Sequence, residues 1–212
     1  MPPVGAVPLA ECRACVRLAG FLDEVRQRHP SYHARPVEAF GDPRASLLVV
    51  GLAPGMHGAN RSGRPFTGDF AGLLLYETLH RFGFSNHAES FAPGDGLELK
   101  RCRITNAVKC LPPANKPLPD EIRTCNRHLA AELAAATDAR IILALGRVAH
   151  AAVLMAMEAK ASAFPFAHGA RHSLPGSRVL FDSYHCSRYN TQTRRLTADG
   201  FRDVFRAILR EL

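Results

Sequence analysis

The hydrophobic residues of this chain follow two alternating patterns, short apolar runs and longer segments with apolar residues at helical spacing. Runs rich in β-branched residues and bounded by glycine or proline are typical of strands buried on both faces. They predict four strands, at residues 46–52, 103–108, 140–145 and 178–183. The helical spacing predicts five helices, at residues 11–28, 70–82, 120–136 and 147–157, and after Thr197, which is placed to cap the last helix. Residues 84–100 and 159–177 are predicted to be loops or small hairpins.

Strands that alternate with helices indicate an α/β fold with right-handed crossovers. We therefore expect a three-layer αβα sandwich around a four-stranded, mostly parallel, twisted sheet. The 212 residues contain no internal repeat and no segment typical of a domain linker. Because this length is near the upper end for one compact domain, residues 1–212 are expected to form a single domain.

This order of elements brings the unusual residues to one edge of the sheet. The glycine-rich segment 51–58 follows the first strand, and Asn106 lies near the end of the second. Gly146 follows the third strand and His185 follows the fourth. Open α/β sheets bind their ligands at the carboxyl ends of the strands, so we expect a ligand site there.

The charge balance narrows the choice of partner. Lysine and arginine exceed aspartate and glutamate by 27 to 19, which gives a net charge of +8 and a pI near 9.6. Such a chain favours a polyanion, because each neutralised phosphate releases condensed counterions. Charge alone leaves two interpretations open, a nucleic-acid partner or a protein that is merely basic.

The apolar runs are too short to cross a membrane, since a spanning helix needs roughly 20 apolar residues. The N-terminal sequence lacks the positive start and the apolar stretch of a secretion signal. We therefore expect no membrane contact and a cytoplasmic location. In that compartment cysteines are more often metal ligands or free thiols than disulfides.

Four cysteines form an unusual set, a C-x-x-C pair at Cys12 and Cys15 and a C-x14-C pair at Cys110 and Cys125. Four thiolates can hold zinc or an iron–sulfur cluster, and this spacing is not the pair of tight knuckles usual in structural zinc ribbons. A [4Fe-4S] cluster is favoured and zinc is the second choice. The remaining alternative is four unrelated buried cysteines, because free cysteine is a frequent core residue.

Several polar and aromatic residues at the predicted sheet edge have two interpretations each. Asp69 is placed to cap a helix or to point a carboxylate into a cleft. Phe66 is either a core residue or a stacking platform. Asn106 either satisfies a local turn or reads the edge of a nucleobase, because an amide donates and accepts at once. His185 is either structural or a donor to a developing anion.

The segment HCSRYNTQTRRLT contains three arginines, three threonines, an asparagine and Tyr189. This mixture suits phosphate contacts together with an inserted wedge side chain. A solvated, charged loop is the ordinary alternative.

With its four cysteines and the segments GLAPGMHGANRSGRPFTGD, ITNAVKC and HCSRYNTQTRRLT in this order, the chain resembles the uracil-DNA glycosylase superfamily, and most closely its iron–sulfur type 5 branch. The resemblance covers the chain from Cys12 to about Thr197. It implies excision of a damaged base by cleavage of the N-glycosidic bond, which leaves an abasic site. Leu52 and Ala53 are apolar, as in the type 5 pattern, and Asp69 matches its carboxylate. Gly55 departs from that pattern, where alanine is expected.

The resemblance also implies roles for individual residues. Asp69 would stabilise an oxocarbenium ion or position water, His57 would assist it, and His185 would donate to the base carbonyl. The base would be bound by Gly51, Ala53, Pro54, Gly55, Phe66 and Asn106. The DNA would be bound by Ser187, Arg188, Tyr189, Asn190, Thr193 and Arg195. The cluster held by the four cysteines would be structural.

The expected partner is DNA containing deaminated bases, acted on by a monomer associated with the nucleoid. By analogy with the type 5 branch, uracil, hypoxanthine and xanthine are the expected substrates, and an apolar pocket with few fixed donors would discriminate poorly among planar bases. Three alternatives remain open: a strictly uracil-specific enzyme like the type 4 branch, a non-catalytic iron–sulfur protein that binds nucleic acid or senses redox state, and a zinc-stabilised nucleotide-binding protein.

Overall fold

A computed structural model describes residues 8–212, and in it a six-stranded sheet forms the centre of the molecule. The strands are β1 (Phe40–Gly41), β2 (Leu47–Gly51), β3 (Cys102–Asn106), β4 (Ile141–Leu145), β5 (Arg171–Leu174) and β6 (Arg178–Ser183). Their order across the sheet is β1-β3-β2-β4-β6-β5. The four central strands are parallel, and β1 and β5 pair antiparallel at the two edges.

The α/β class is therefore confirmed, but the expected number of four strands was wrong. The four predicted strands are the central ones, where β2 and β4 are fully buried and give continuous apolar runs. The edge strand β1 has only two residues, too few to show a period. The edge strand β5 is largely exposed and polar, and it forms a hairpin with β6 within a segment predicted as loop or hairpin.

Helices cover both faces of the sheet. They are α1 (Val16–Arg28), α2 (Ala59–Ser62), α3 (Phe70–Arg81), α4 (Pro119–Ala135), α5 (Arg147–Ala156), α6 (Arg188–Gln192) and α7 (Ala198–Leu209). One face packs α3 and α7 in a core that includes Leu75 and Phe205. The other face packs α4 and α5 around Leu129 and Val153. This is the expected three-layer sandwich.

Two helix predictions differ from the structure. The first helix begins at Val16 rather than residue 11, because Cys12 and Cys15 have extended backbone angles. Residues 188–192, expected in an irregular loop, form the short helix α6. None of the helices within residues 8–212 has the length and apolar character that crossing a bilayer requires.

Candidate active site

A cavity of about 410 Å³ opens at the carboxyl edge of the sheet, where β2, β3 and β6 end. It is lined by Leu52, Ala53, Gly55, Ala59, Phe66, Asp69, Phe70, Ala71, Asn106, Asn115, His185, Ser187 and Arg188. An acid, an amide and an imidazole from three distant stretches of the chain, Asp69, Asn106 and His185, therefore line one cavity. Its volume is typical of small-molecule sites.

The two oxygens of the Asp69 carboxylate have different surroundings. One oxygen, Oδ1, accepts a hydrogen bond from the Gly72 backbone N–H at 2.8 Å and caps α3. The other, Oδ2, lies beside the glycine-rich segment, where a Cβ atom on Gly58 would approach it to 2.6 Å. Burial raises the pKa of Asp69 above its ordinary value, while backbone hydrogen bonds oppose this rise. The helix-capping and cleft-facing interpretations are thus both correct in geometry.

Phe66 lies in the wall of the cavity with an unusual backbone conformation. Its φ of 55° is in the left-handed region, which is rare for an aromatic residue and is typical of functional sites. The ring stacks on the His185 imidazole with centroids 5.8 Å apart and an interplanar angle of 27°. Its edge lies against Gly51, where an added Cβ atom would be 2.6 Å from Phe66 Cζ.

Asn106 ends β3 and is aligned with Gly51 of β2. The residue is 3% exposed, and its Oδ1 atom has no hydrogen-bond partner among the described residues. Buried polar atoms are almost always paired, so an unpaired one needs an explanation. Asn106 also lines the cavity, so its amide group lies where a ligand bound there would meet it.

His185 follows β6, and its ring stacks on Phe66 in the wall of the cavity. Burial lowers the pKa of the imidazole to about 4, so the ring is neutral at physiological pH. Asn190 Nδ2 donates to the His185 backbone carbonyl at 2.8 Å and fixes the start of the following segment. A neutral ring keeps one N–H to donate to a group that gains negative charge.

The segment after His185 presents cations and an aromatic ring beside the cavity. Ser187 caps α6, and Arg188 lies over the Phe70 ring at 5.0 Å. The Tyr189 side chain is 69% exposed, while the Thr193 hydroxyl donates to the Tyr189 carbonyl at 2.7 Å.

Arg195 lies over the Tyr184 ring at 4.5 Å, at the other end of the same segment. Arg188 and Arg195 are both well exposed. The segment thus has an ordered backbone with side chains free to meet a partner.

The structure does not bring His57 to this cavity. The His57 side chain is exposed, and its Nδ1 atom lies 2.9 Å from the Tyr32 hydroxyl. Gly51 and Pro54 are buried behind the lining rather than part of it, and Ala53 and Gly55 line it directly.

Asn115 is a lining residue that the sequence analysis missed. It follows the PPA turn with a φ of 55°, a left-handed conformation that asparagine tolerates. An asparagine within a proline-rich segment was the available signal, but such segments are also ordinary loops.

The four cysteines Cys12, Cys15, Cys110 and Cys125 line a second, small pocket between the start of α1, the end of β3 and α4. Burial, followed by repulsion from the neighbouring thiols, raises the pKa of Cys15 to about 11 and that of Cys110 to about 12. The Lys109 backbone N–H donates to Cys125 Sγ at 3.3 Å. Thiols gathered in this way fit a metal centre, because a metal ion stabilises the thiolate form.

The fold and the two sites define an α/β protein with a cavity at its sheet edge and a separate pocket lined by four cysteines. A family model described as the uracil DNA glycosylase superfamily matches residues 38–212. The chain therefore belongs to the uracil-DNA glycosylase superfamily, as its motifs indicated, and the expected enzyme class, a DNA N-glycosylase, agrees with this family.

Individual relatives refine this placement. The chain is 50% identical over 201 residues to a type-5 uracil-DNA glycosylase of Thermus thermophilus, covering 92% of this chain and 91% of that protein. It is 42% identical over 206 residues to the type-5 enzyme of Mycobacterium bovis, covering 93% and 77%. A type-4 uracil-DNA glycosylase of Sulfurisphaera tokodaii is 28% identical over 179 residues, covering 82% and 74%.

Proposed function

We propose that this protein excises uracil from DNA by hydrolysing the N-glycosidic bond, and that hypoxanthine and xanthine are further substrates. The observation that carries the proposal is the shared cavity of Asp69, Asn106 and His185. A base must leave the helical stack to reach such a cavity, at a cost of a few kcal/mol that is smallest for a mispaired base.

The flipped base would be held by stacking on its face and by hydrogen bonds to its edge. Phe66 offers the face of its ring, and the amide of Asn106, which lines the cavity, would accept from a base N–H. The amide group can also donate to a base carbonyl, so Asn106 matches the alternating donors and acceptors of a nucleobase edge.

Bond cleavage builds negative charge on the base and positive charge on the sugar. The neutral His185 imidazole would donate its N–H to the base carbonyl oxygen as that charge develops. The Asp69 carboxylate would stabilise the sugar cation or orient the attacking water through Oδ2, the oxygen not used for the helix cap. Groups fixed in place before the reaction lower the barrier because they need no reorganisation.

The segment 187–195 would bind the duplex around the flipped nucleotide. Arg188 and Arg195 are placed to meet phosphates, and the exposed Tyr189 ring is placed to fill the space that the base leaves. His57 has no contact with this cavity, so the chemistry is assigned to Asp69 and His185.

The breadth of substrate choice follows from the cavity wall. Leu52 and Ala53 line it without a polar side chain. An apolar wall at this point rejects other planar bases weakly. This favours a broad enzyme over a strictly uracil-specific one.

The four cysteines would hold a [4Fe-4S] cluster. Among the described residues, the one group of three or more ligand atoms that all lie within 4.8 Å of each other is that of His150, His172 and Asp182. No three cysteine sulfurs of residues 8–212 are therefore that close. Sulfurs around one zinc ion, each about 2.3 Å from the metal, would lie roughly 3.8 Å apart. The wider spacing favours the larger centre, whose role would be structural because glycosidic hydrolysis needs no electron transfer.

The test is incubation of the protein with duplexes that carry uracil, hypoxanthine or xanthine, scored for alkali-labile abasic sites. Asp69→Asn is the informative variant, because asparagine caps a helix as well as aspartate and removes only the charge. We expect excision by the natural protein and a rate roughly 10²-fold or more lower in the variant. Thr197→Ala, which removes the cap of α7, a helix with no residue in the cavity lining, is the control for lost capping. Duplex binding without excision would instead support a non-catalytic DNA-binding protein.

A further inference from the structure

Next to Asn106 lies a buried ionic network that the proposed mechanism does not use. Lys109 is 0% exposed, and its Nζ atom lies 2.6 Å from Glu132 Oε2 of α4. The same ammonium group donates to Thr105 Oγ1 at 2.5 Å, and the Thr105 hydroxyl donates to Glu132 Oε2 at 2.8 Å. One carboxylate oxygen thus holds two side chains of a single turn.

These two side chains flank the base-reading amide. Thr105 comes directly before Asn106, and Lys109 comes three residues after it. Between them, the Ala107 backbone N–H donates to the Gly51 carbonyl at 2.9 Å and ties the turn to the end of β2. Because Oδ1 of Asn106 has no hydrogen-bond partner of its own among the described residues, the position of the amide depends on this backbone and on packing against Gly51.

Stability alone does not explain such a network. An ion pair taken out of water is frequently no more stabilising than apolar residues of similar size. The ion pair instead fixes the position of the turn, since Thr105 and Lys109 are both held by Glu132 of α4. A displacement of about 1 Å in a substrate-binding group can cost roughly 10² in rate.

We propose that Glu132 is a positioning residue for Asn106, which through Thr105 and Lys109 holds the turn that presents the amide to the flipped base. This inference rests on the proposed function. The Lys109 backbone N–H also donates to Cys125 Sγ, so the same turn joins the base cavity to the cysteine pocket.

The experiment measures single-turnover excision of uracil in full-length protein. Lys109→Met combined with Glu132→Leu removes both buried charges together, so that no unpaired charge is left to unfold the chain. We expect the rate to fall between about tenfold and 100-fold. Binding of a duplex with an uncleavable abasic analogue should stay within about twofold. Glu132→Asp, which keeps a charged acceptor for Lys109 and Thr105, should retain part of the rate.

A double-mutant cycle decides whether Glu132 acts through Asn106. In an Asn106→Ala background, the same double substitution should change the excision rate by less than about twofold. The control is Arg171→Met with Glu211→Leu, an ion pair with two hydrogen bonds between β5 and the C-terminal residues, which should leave the excision rate unchanged. Visible absorption of the cysteine centre checks that it is intact in each variant.

The proposal is overturned if the Lys109 and Glu132 changes leave the rate intact, or if they lower it equally with and without the Asn106 side chain. If the natural protein excises no base at all, the proposed function itself fails. These outcomes are distinct, because activity of the natural protein is measured first.

Discussion

The base cavity and the cysteine pocket lie at opposite ends of one short stretch, from Asn106 to Cys110, yet they are built in opposite ways. The base cavity is open, about 410 Å³ in volume, and leaves an amide oxygen unpaired among the described residues. The cysteine pocket is small, and its thiols are close enough to raise one another's pKa. The first arrangement suits a ligand that comes and goes, and the second suits a resident group that holds chain segments together.

The largest effect is expected in the cysteine pocket. Cys125→Ser should abolish visible absorption and most soluble protein, because a structural metal centre can contribute on the order of 10 kcal/mol to folding. Cys102→Ser is the control, since Cys102 is equally buried but lies in the core beneath the sheet. If both variants stayed folded and coloured, the metal assignment would be wrong.

In the base cavity, substitution of His185 is expected to lower the excision rate about as much as substitution of Asp69. His185→Phe keeps an aromatic ring beside Phe66 but removes the N–H donor, so the excision rate should fall roughly 10²-fold while DNA binding changes little. Single-turnover reactions that are quenched at intervals and analysed on a gel measure this excision rate. An unchanged rate would show that the base departs without help from His185.

The dependence of the excision rate on pH distinguishes the requirement for a neutral His185 from the requirement for an ionised Asp69. Because the pKa of His185 is about 4, the ring stays neutral and the rate should be flat from about pH 6 to 8. As pH falls, Asp69 gains a proton and excision slows, and its raised pKa moves this loss to a higher pH than for an ordinary aspartate. Loss of activity with a midpoint near pH 6.5 would indicate a protonating histidine instead.

Two glycines beside the same cavity should differ in how well they tolerate substitution by alanine. A Cβ atom on Gly51 would lie 2.4 Å from Asn106 Oδ1, so Gly51→Ala should lower excision about tenfold or more. A Cβ atom on Gly55 would lie 3.8 Å from Asp69 Oδ2, an ordinary contact, so Gly55→Ala should stay within about twofold. Equal rates in the two variants would contradict the tight packing of the amide. The departure of Gly55 from the expected alanine therefore leaves the cavity intact.

A smaller effect than that of Gly51→Ala is expected at Tyr189. Tyr189→Ala removes an exposed ring and should weaken duplex binding by about tenfold or less, at the lower end of the roughly 1–3 kcal/mol that a stacking contact contributes. Tyr189→Phe keeps the ring and should bind like the natural protein. Fluorescence anisotropy with an abasic duplex measures both, and equal binding by the alanine variant would exclude the ring from the interface.

The buried parts of the molecule were predictable because periodicity reports burial. Strands such as Leu47–Gly51 are apolar throughout and stand out in the sequence. The edge strand Phe40–Gly41 and the polar strand Arg171–Leu174 carry no such signal, because pairing at an edge needs only backbone groups.

The site was predictable for a different reason. Asn106 ends β3 and His185 follows β6, and the parallel order of strands brings those ends together, while Asp69 caps the helix α3 that follows β2. Asn115 and His57 were not predictable in this way, because both lie in loops whose direction depends on turn geometry. The φ of 55° at Asn115 brings that residue to the cavity, while the contact with Tyr32 holds His57 outside it.

The most direct test of the central claim is a crystal structure of the Asp69→Asn variant bound to a duplex with one uracil. The account predicts an extruded uracil stacked on Phe66, with its edge about 3 Å from the Asn106 amide and a carbonyl oxygen facing His185. A uracil that remains stacked in the duplex, or that is bound away from Asn106 and His185, would contradict it.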